Sequence, residues 1–336
     1  MKISIFGLGY VGSVSAACLA EIGHEVLGVD IMPQKVNPLK EGIPPVKEPR
    51  LDELLRKNLD AGRLQFTMDS MKASRNSDCA MIAVGTPSDA SGAVNLTALE
   101  RCVESIASSL LESDKTSFTI IIRSTVPPGT TQRMTTLTQR ILQGKCRIHF
   151  SMNPEFLREG SAVEDFFHPA LIIFGLEEES LKTQLQQIYL NIDAPHVWVD
   201  TATAELVKYT NNAFHALKVG FANEIARLAE AYGSDGNKIM ELLCADTKLN
   251  ISAKYLRPGF AFGGSCLPKD LRGINSIAQK RSVDTPLLRS IIPSNDAHLE
   301  QCKNQVLAVA KDKVAVLGIT FKTGTDDVRE SAGLRL

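Results

Sequence analysis

The pattern Gly7-Leu8-Gly9-Tyr10-Val11-Gly12 follows a β-type run at 2–6 and precedes a small-residue stretch at 13–23, which leaves few folds open to this chain. GxGxxG between a strand and a helix permits a tight turn, close approach of a pyrophosphate to the backbone, and close packing of helix on strand. The helix that follows turns its free N–H groups and the positive end of its dipole toward those phosphates. The motif alone is weak evidence. Here a second β-type run, 24–29, ends in Asp30, at the separation where a carboxylate can bind ribose hydroxyls. An acid at that point favours NAD over NADP, since a 2′-phosphate would be repelled. The expectation is an α/β chain whose N-terminal domain is Rossmann-like and binds NAD. Lys35 lies near the adenosine end and, taken alone, reads as a solvated charge.

The 336 residues are enough for two domains of ordinary size. Lys and Arg total 37 against 38 Asp and Glu, so charge gives no case for nucleic acid or an anionic membrane as partner. Seven cysteines, an odd number without CxxC spacing, argue against a disulfide framework or a zinc site and for a reducing compartment, the cytoplasm. The apolar stretch at 2–20 could imitate a signal peptide, but its glycine spacing is better explained by the dinucleotide turn. No run reaches the ~18 uninterrupted apolar residues of a membrane span.

Along the chain, 37–49 is proline-rich and reads as irregular, and 50–61 as an amphipathic helix. Buried strands at 77–84 and 118–123 end in Gly85-Thr86-Pro87 and in Ser124-Thr125-Val126-Pro127-Pro128-Gly129-Thr130. Ligands of open parallel sheets bind beyond the carboxyl ends of strands, which points Thr86 and Thr125 toward the cofactor unless they are simple turn residues. After a strand at 149–152 comes Asn153-Pro154-Glu155-Phe156-Leu157-Arg158-Glu159-Gly160. A helical turn would put Glu155 and Glu159 on one face; Asn-Pro and the closing glycine instead mark a shaped loop, where acids more often meet ligands. Strands at 171–175 and 195–199 close this domain, taken as 1–199.

From 204 to 232 the apolar residues recur at helical spacing without proline, indicating one long helix able to join domains or subunits. Lys208 and Asn212 share a face, and with Glu205 and His215 they form a polar stripe, or a solvent-exposed side. Helices at 237–245 and 270–280 make the second domain, 200–300, all-α. The run from 313 to 317 opens what reads as a strand of a further α/β unit, so that 301–336 is the start of a third domain.

The stretch Pro-Gly-Phe-Ala-Phe-Gly-Gly-Ser-Cys-Leu-Pro-Lys-Asp-Leu-Arg at 258–272 sets Cys266 just before Pro268, which is suited to the first turn of a helix. A thiol at a helix N-terminus, with Lys269 beside it, is favoured as thiolate, and Gly263 and Gly264 let a ligand approach the backbone. The alternative is a small buried hydrophobe.

The motifs GLGYVG, VGTP, STVPPGT, NPEFLREG, the Lys208–Asn212 helix, GFAFGGSCLPKD and FKTGTDDVRES, in this order, resemble the nucleotide-sugar 6-dehydrogenase family of UDP-glucose and GDP-mannose dehydrogenases. Residues 215–224 and 248–270 resemble the GDP-mannose branch, notably Leu267 where the other branch often has phenylalanine. The resemblance implies a four-electron oxidation of a sugar C6 alcohol to the uronate with two NAD and one water, supplying polysaccharides such as alginate. It implies that Cys266 forms a thioester, that Lys208 and Asn212 stabilise oxyanions, that Glu155 assists water, and that Thr125 and Asp270 order the same water network. Gly7, Gly9, Tyr10, Val11, Gly12, Asp30, Lys35, Thr86, Thr125, Glu159 and Arg329 would contact the cofactor. Leu157, Lys208, Asn212, His215, Asn250, Tyr255, Arg257, Phe262, Gly263 and Lys322 would contact the nucleotide sugar, some of them from a neighbouring subunit, which implies a homodimer through the long helix. Two departures stand out: relatives carry a complete C-terminal sugar-nucleotide domain of which this sequence holds the beginning, and Arg50 stands where the family usually has glycine.

Three readings remain in play: a GDP-mannose or UDP-glucose 6-dehydrogenase; a β-hydroxyacid dehydrogenase, which needs no catalytic cysteine; and an NAD-binding chain without catalysis of its own.

Overall fold

The computed structural model describes residues 1–256, 259–264, 266–320 and 328–336. They form two compact units, 1–212 and 213–336.

The first unit is built on one eight-stranded sheet. Its strands are β1 (Lys2–Phe6), β2 (Glu25–Val29), β3 (Leu64–Thr67), β4 (Cys79–Ile82), β5 (Ser117–Ile122), β6 (Arg147–Met152), β7 (Ile172–Leu176) and β8 (His196–Val199). They lie in the order β3-β2-β1-β4-β5-β6-β7-β8 and all pair parallel except β6 with β7. All four residues of β4 are buried, as expected of a parallel strand covered on both faces. Ile3, Ile5, Val14, Leu19 and Phe174 belong to one apolar layer, and Phe6, Ile82, Val103, Ile120 and Met134 to another. The chain leaves β1 for β2 on one side and meets β4 on the other. A crevice must therefore open between the carboxyl ends of β1 and β4, the position from which such sheets bind ligands.

The second unit, as described, is helical: Gly236–Ala245, Leu267–Lys280, Pro286–Val309 and Ala332–Arg335, with the C-terminal part of the long helix Thr201–Ala231. No helix among the described residues is long and apolar enough to cross a membrane.

Three local expectations are corrected. The segment 37–49 is not wholly irregular, because a helix, Pro33–Lys40, runs into it; Pro33 opens its first turn, and Val36 and Leu39 pack inward. The strand β3 was not anticipated: it is four residues long and half polar, and pairing with β2 decides its state rather than its own composition. Residues 313–319 form no strand, and Leu317 is 93% exposed. A β-type run becomes a strand only where another strand takes its N–H and C=O groups, and among the described residues none does.

Candidate active site

The dinucleotide turn is shaped by what its glycines exclude. Gly7 sits at φ 94°, and its N–H donates to the Val29 carbonyl at 2.8 Å. A Cβ on Gly7 would lie 2.7 Å from the Ala83 carbonyl oxygen, and one on Gly12 only 1.8 Å from that of Gly7. Gly9, at the N-cap of the helix Tyr10–Ile22, faces open space instead. That is the room a pyrophosphate needs above a helix N-terminus, so the residues present fit NAD. Asp30 is almost fully buried; its carboxylate accepts from the Leu8 N–H at 2.8 Å, the Met32 N–H at 3.0 Å and Lys35 Nζ at 3.1 Å. Lys35 is thus a partner of Asp30 rather than a solvated charge.

A cleft of about 450 Å³ opens here, and Gly7, Gly9, Tyr10, Val11, Asp30, Lys35, Thr86, Thr125 and Glu155 all line it. Nine residues singled out in the sequence therefore meet in one crevice, at the ends of β1, β2, β4, β5 and β6. Gly12 packs beneath it. The two threonines hold each other: Thr86 Oγ1 donates to the Thr125 carbonyl at 2.7 Å.

Glu155 closes one side. Residues 153–158 are not helical, and Glu155 is buried while Glu159 is exposed. The loop reading holds. The Glu155 carboxylate accepts the Leu157 N–H at 2.7 Å and meets Lys208 Nζ at 2.8 Å, both side chains being about nine-tenths buried. A second cavity of about 440 Å³ adjoins the loop, lined by Asn153, Glu155, Leu157 and Asn211 among others. Asn212, one turn beyond Lys208, is exposed, as is His215.

Glu205 departs from the polar stripe assigned to it. It is fully buried, and its carboxylate accepts the N–H groups of Gly129 and Thr131 at 2.6 and 2.7 Å and the Thr131 hydroxyl at 2.6 Å. It thereby caps the helix Thr130–Leu142 and ties the Thr125 loop to the long helix.

In the second unit Cys266 is the exposed N-cap of Leu267–Lys280, with Pro268 in the first turn, and its carbonyl accepts the Asp270 N–H at 2.8 Å. Asp270 pairs with Lys269 at 3.1 Å. Burial pushes the thiols of Cys18, Cys102 and Cys146 up and that of Cys79 to about 12, which disfavours their thiolate forms. A Cβ on Gly263 would lie 2.3 Å from the Glu330 carbonyl oxygen, so only glycine fits there. Asn295 holds the Phe262 backbone, accepting its N–H and donating to its carbonyl, both at 2.9 Å. Asn250 and Arg329 are exposed, and Tyr255 is 84% exposed at φ 63°. Arg257 and Lys322 lie outside the described residues.

Sequence reasoning missed three supporting side chains, Arg123, Asn295 and Glu48, and the buried capping role of a fourth, Glu205. Arg123 is buried, donating from Nη1 to Asn153 at 2.7 Å and to Tyr189 at 2.8 Å. Asn295 and Glu205 fix backbone, as does Glu48, which accepts from Tyr10, Gly160 and Ala162. The one signal available was the presence of a charged residue within an apolar context, as at Arg123.

Residues 1–193 match the NAD binding domain of the UDP-glucose/GDP-mannose dehydrogenase family, and residues 202–297 its central domain. GDP-mannose 6-dehydrogenase of Pseudomonas syringae pathovar tomato is 45% identical over 334 residues, covering 98% of this chain and 76% of that protein. UDP-glucose 6-dehydrogenase of Bacillus subtilis is 36% identical over 338 residues, covering 99% and 76%. A crystal structure of a ternary complex of GDP-mannose dehydrogenase from Pseudomonas aeruginosa superposes with a TM-score of 0.97 at 41% identity, covering 100% of this chain and 77% of that one.

Proposed function

This chain belongs to the UDP-glucose/GDP-mannose dehydrogenase family, and we propose that its substrate is GDP-mannose, oxidised at C6 to GDP-mannuronate through a thioester on Cys266. The observation that carries the proposal is the buried Glu155–Lys208 pair at the edge of the NAD cleft, an acid and a cation held 2.8 Å apart at the carboxyl end of the sheet. The greater identity to GDP-mannose dehydrogenases than to the Bacillus UDP-glucose enzyme supports the choice of sugar nucleotide.

Gly9, Tyr10 and Asp30 would hold NAD in the cleft, where it would supply the hydride acceptor for each of the two oxidations of the sugar carbon. The first leaves an aldehyde and a proton. The Cys266 thiolate then adds to the carbonyl carbon; a C–S bond forms, and the carbonyl electron pair becomes an oxyanion. Lys208 and Asn212 donate to that oxyanion, as fixed donors do where charge develops. Loss of the second hydride gives the thioester. Glu155 takes a proton from water as it attacks, with Thr125 and Asp270 ordering that water; a C–O bond forms, the C–S bond breaks, and the thiolate is restored. The balance is one alcohol, two NAD and one water to one carboxylate, two NADH and three protons.

The boundaries 1–199, 200–300 and 301–336 divide cofactor binding, the cysteine and the start of a sugar-nucleotide domain. Glu159 and Arg329 join the cleft residues as cofactor contacts. Leu157, His215, Asn250, Tyr255, Arg257, Phe262, Gly263 and Lys322 contact the sugar nucleotide. The chain pairs with a second copy through the long helix, where Phe214 and Leu217, three residues apart, present exposed apolar surface. The thiol pattern supports work in the cytoplasm, with the product feeding polysaccharide synthesis.

Cys266→Ser tests the covalent step. The variant is expected to form no GDP-mannuronate while still binding NAD as the parent does. Acid formation at the parental rate would remove the thioester from the mechanism, and acid from UDP-glucose alone would reassign the substrate.

A further inference from the structure

Glu48 is 6% exposed, and no cation lies within ion-pairing distance of it among the described residues. Its carboxylate is held by three donors instead. Oε2 accepts the Tyr10 hydroxyl at 2.6 Å and the Gly160 N–H at 2.8 Å; Oε1 accepts the Ala162 N–H at 2.8 Å. Ala162 opens the short helix Ala162–Phe167, whose own N-cap, Ser161, makes no side-chain capping bond. The cap comes from Glu48, 114 residues away in the chain.

These three donors belong to two places that matter. Tyr10 is the first residue of the dinucleotide helix and lines the NAD cleft. Gly160 and Ala162 end the loop that starts at Asn153 and carries Glu155. The Arg158 carbonyl also stands 3.1 Å from the Tyr10 hydroxyl. A phenol has one proton, and the shorter contact gives it to Glu48. Burial and Glu48 hold the Tyr10 phenol far above its ordinary pKa, so it remains a donor throughout the working range. Elsewhere the loop is held at Asn153 by Arg123 and at Glu155 by Lys208, and within it Arg158 donates to Asp165 from Nη2 at 2.6 Å and from its backbone N–H at 2.9 Å. Glu48 links the far end of the loop, at Gly160 and Ala162, to Tyr10 in the wall of the cofactor cleft.

We infer that Glu48 is a positioning residue that transmits occupancy of the NAD cleft, sensed at Tyr10, to the order of the 153–162 loop bearing Glu155. A dinucleotide packed against Tyr10 restrains the ring, the ring fixes the carboxylate, and the carboxylate holds the Gly160 and Ala162 amides. Coupling of this kind is reciprocal: a loop already held favours NAD, and a loosened loop weakens it. A carboxylate is required. Glutamine in its place would offer an NH₂ where the arrangement needs an acceptor, leaving a donor of the trio unmatched. The consequence for catalysis rests on the role proposed for Glu155; the coupling itself does not.

The test is amide hydrogen exchange of the full chain with and without NAD, read at Gly160 and Ala162, together with NAD affinity by calorimetry. NAD should slow exchange at both amides of the wild-type chain by about tenfold. Glu48→Gln should lose protection in the free protein and weaken NAD about tenfold. Tyr10→Phe keeps both backbone bonds to Glu48, so it should preserve protection in the free protein while losing the increment that NAD adds; it serves even if Glu48→Gln fails to fold. NAD binding that leaves wild-type exchange at these amides unchanged, or an increment retained in Tyr10→Phe, overturns the inference alone. A wild-type chain that does not bind NAD overturns it together with the cofactor assignment.

Discussion

Arg50 adopts φ 67° and ψ −5° as the N-cap of the helix Leu51–Asp60, a left-handed conformation that costs a side-chain-bearing residue about 1 kcal/mol or more. Its pairing with Glu164, at 3.8 Å between side chains that are both more than half exposed, offsets little of that. Arg50→Gly is therefore expected to stabilise the chain by about 0.5–1 kcal/mol, once the entropy of the freer unfolded glycine is subtracted. A denaturant titration would register this as a higher midpoint with an unchanged slope, and a lower midpoint would contradict it. The family resemblance had marked this position as unusual; the backbone angle supplies the reason. Single residues were legible in the sequence where the constraint is local, as at Gly7 and Gly12, whose turn admits no Cβ. Glu48 and Glu205 were not, because their partners stand 112 and 76 residues away and spacing in a sequence carries no trace of them.

At the scale of elements, the buried strands announced themselves through runs such as Cys79–Ile82, which are apolar on both faces. Their helical covers were less legible. Thr130–Leu142 carries five threonines, and its start is fixed by Glu205 rather than by its own N-cap, Gly129. Glu205→Ala should thus remove three hydrogen bonds from a buried helix start and cost about 3 kcal/mol. Because the same loop carries Thr125 in the NAD cleft, NAD binding by the variant should weaken as well. Thermal unfolding and calorimetry on one sample would check both, and a variant with parental stability would show that the cap contributes nothing. The cysteine helix reads in the other direction: Pro268 and the glycine pair pointed to a helix starting at the thiol, and Cys266 is its N-cap.

Across the whole molecule, stability is tied to pH by two imidazoles whose protonation burial disfavours. Burial lowers the pKa of His24 below its ordinary value, while its Nε2–H donates to the Ile188 carbonyl at 3.0 Å; burial likewise lowers His196. In the unfolded chain both take up a proton near pH 6.5. The unfolded state then binds more protons than the folded one, so stability is steady above about pH 6.5 and declines as pH falls toward the folded values. Melting temperature measured from pH 7.5 to 5.0 should fall in that window, and the double variant His24→Gln, His196→Gln should flatten the slope; a profile unchanged by the substitutions would refute the assignment.

The central claim concerns chemistry, and stoichiometry reaches it most directly. The purified chain, given excess NAD and a limiting amount of GDP-mannose, should release two NADH for each sugar nucleotide consumed and leave GDP-mannuronate. One NADH per sugar with an aldehyde product, or no turnover by a chain that binds NAD, would contradict the proposal that this chain carries out both oxidations.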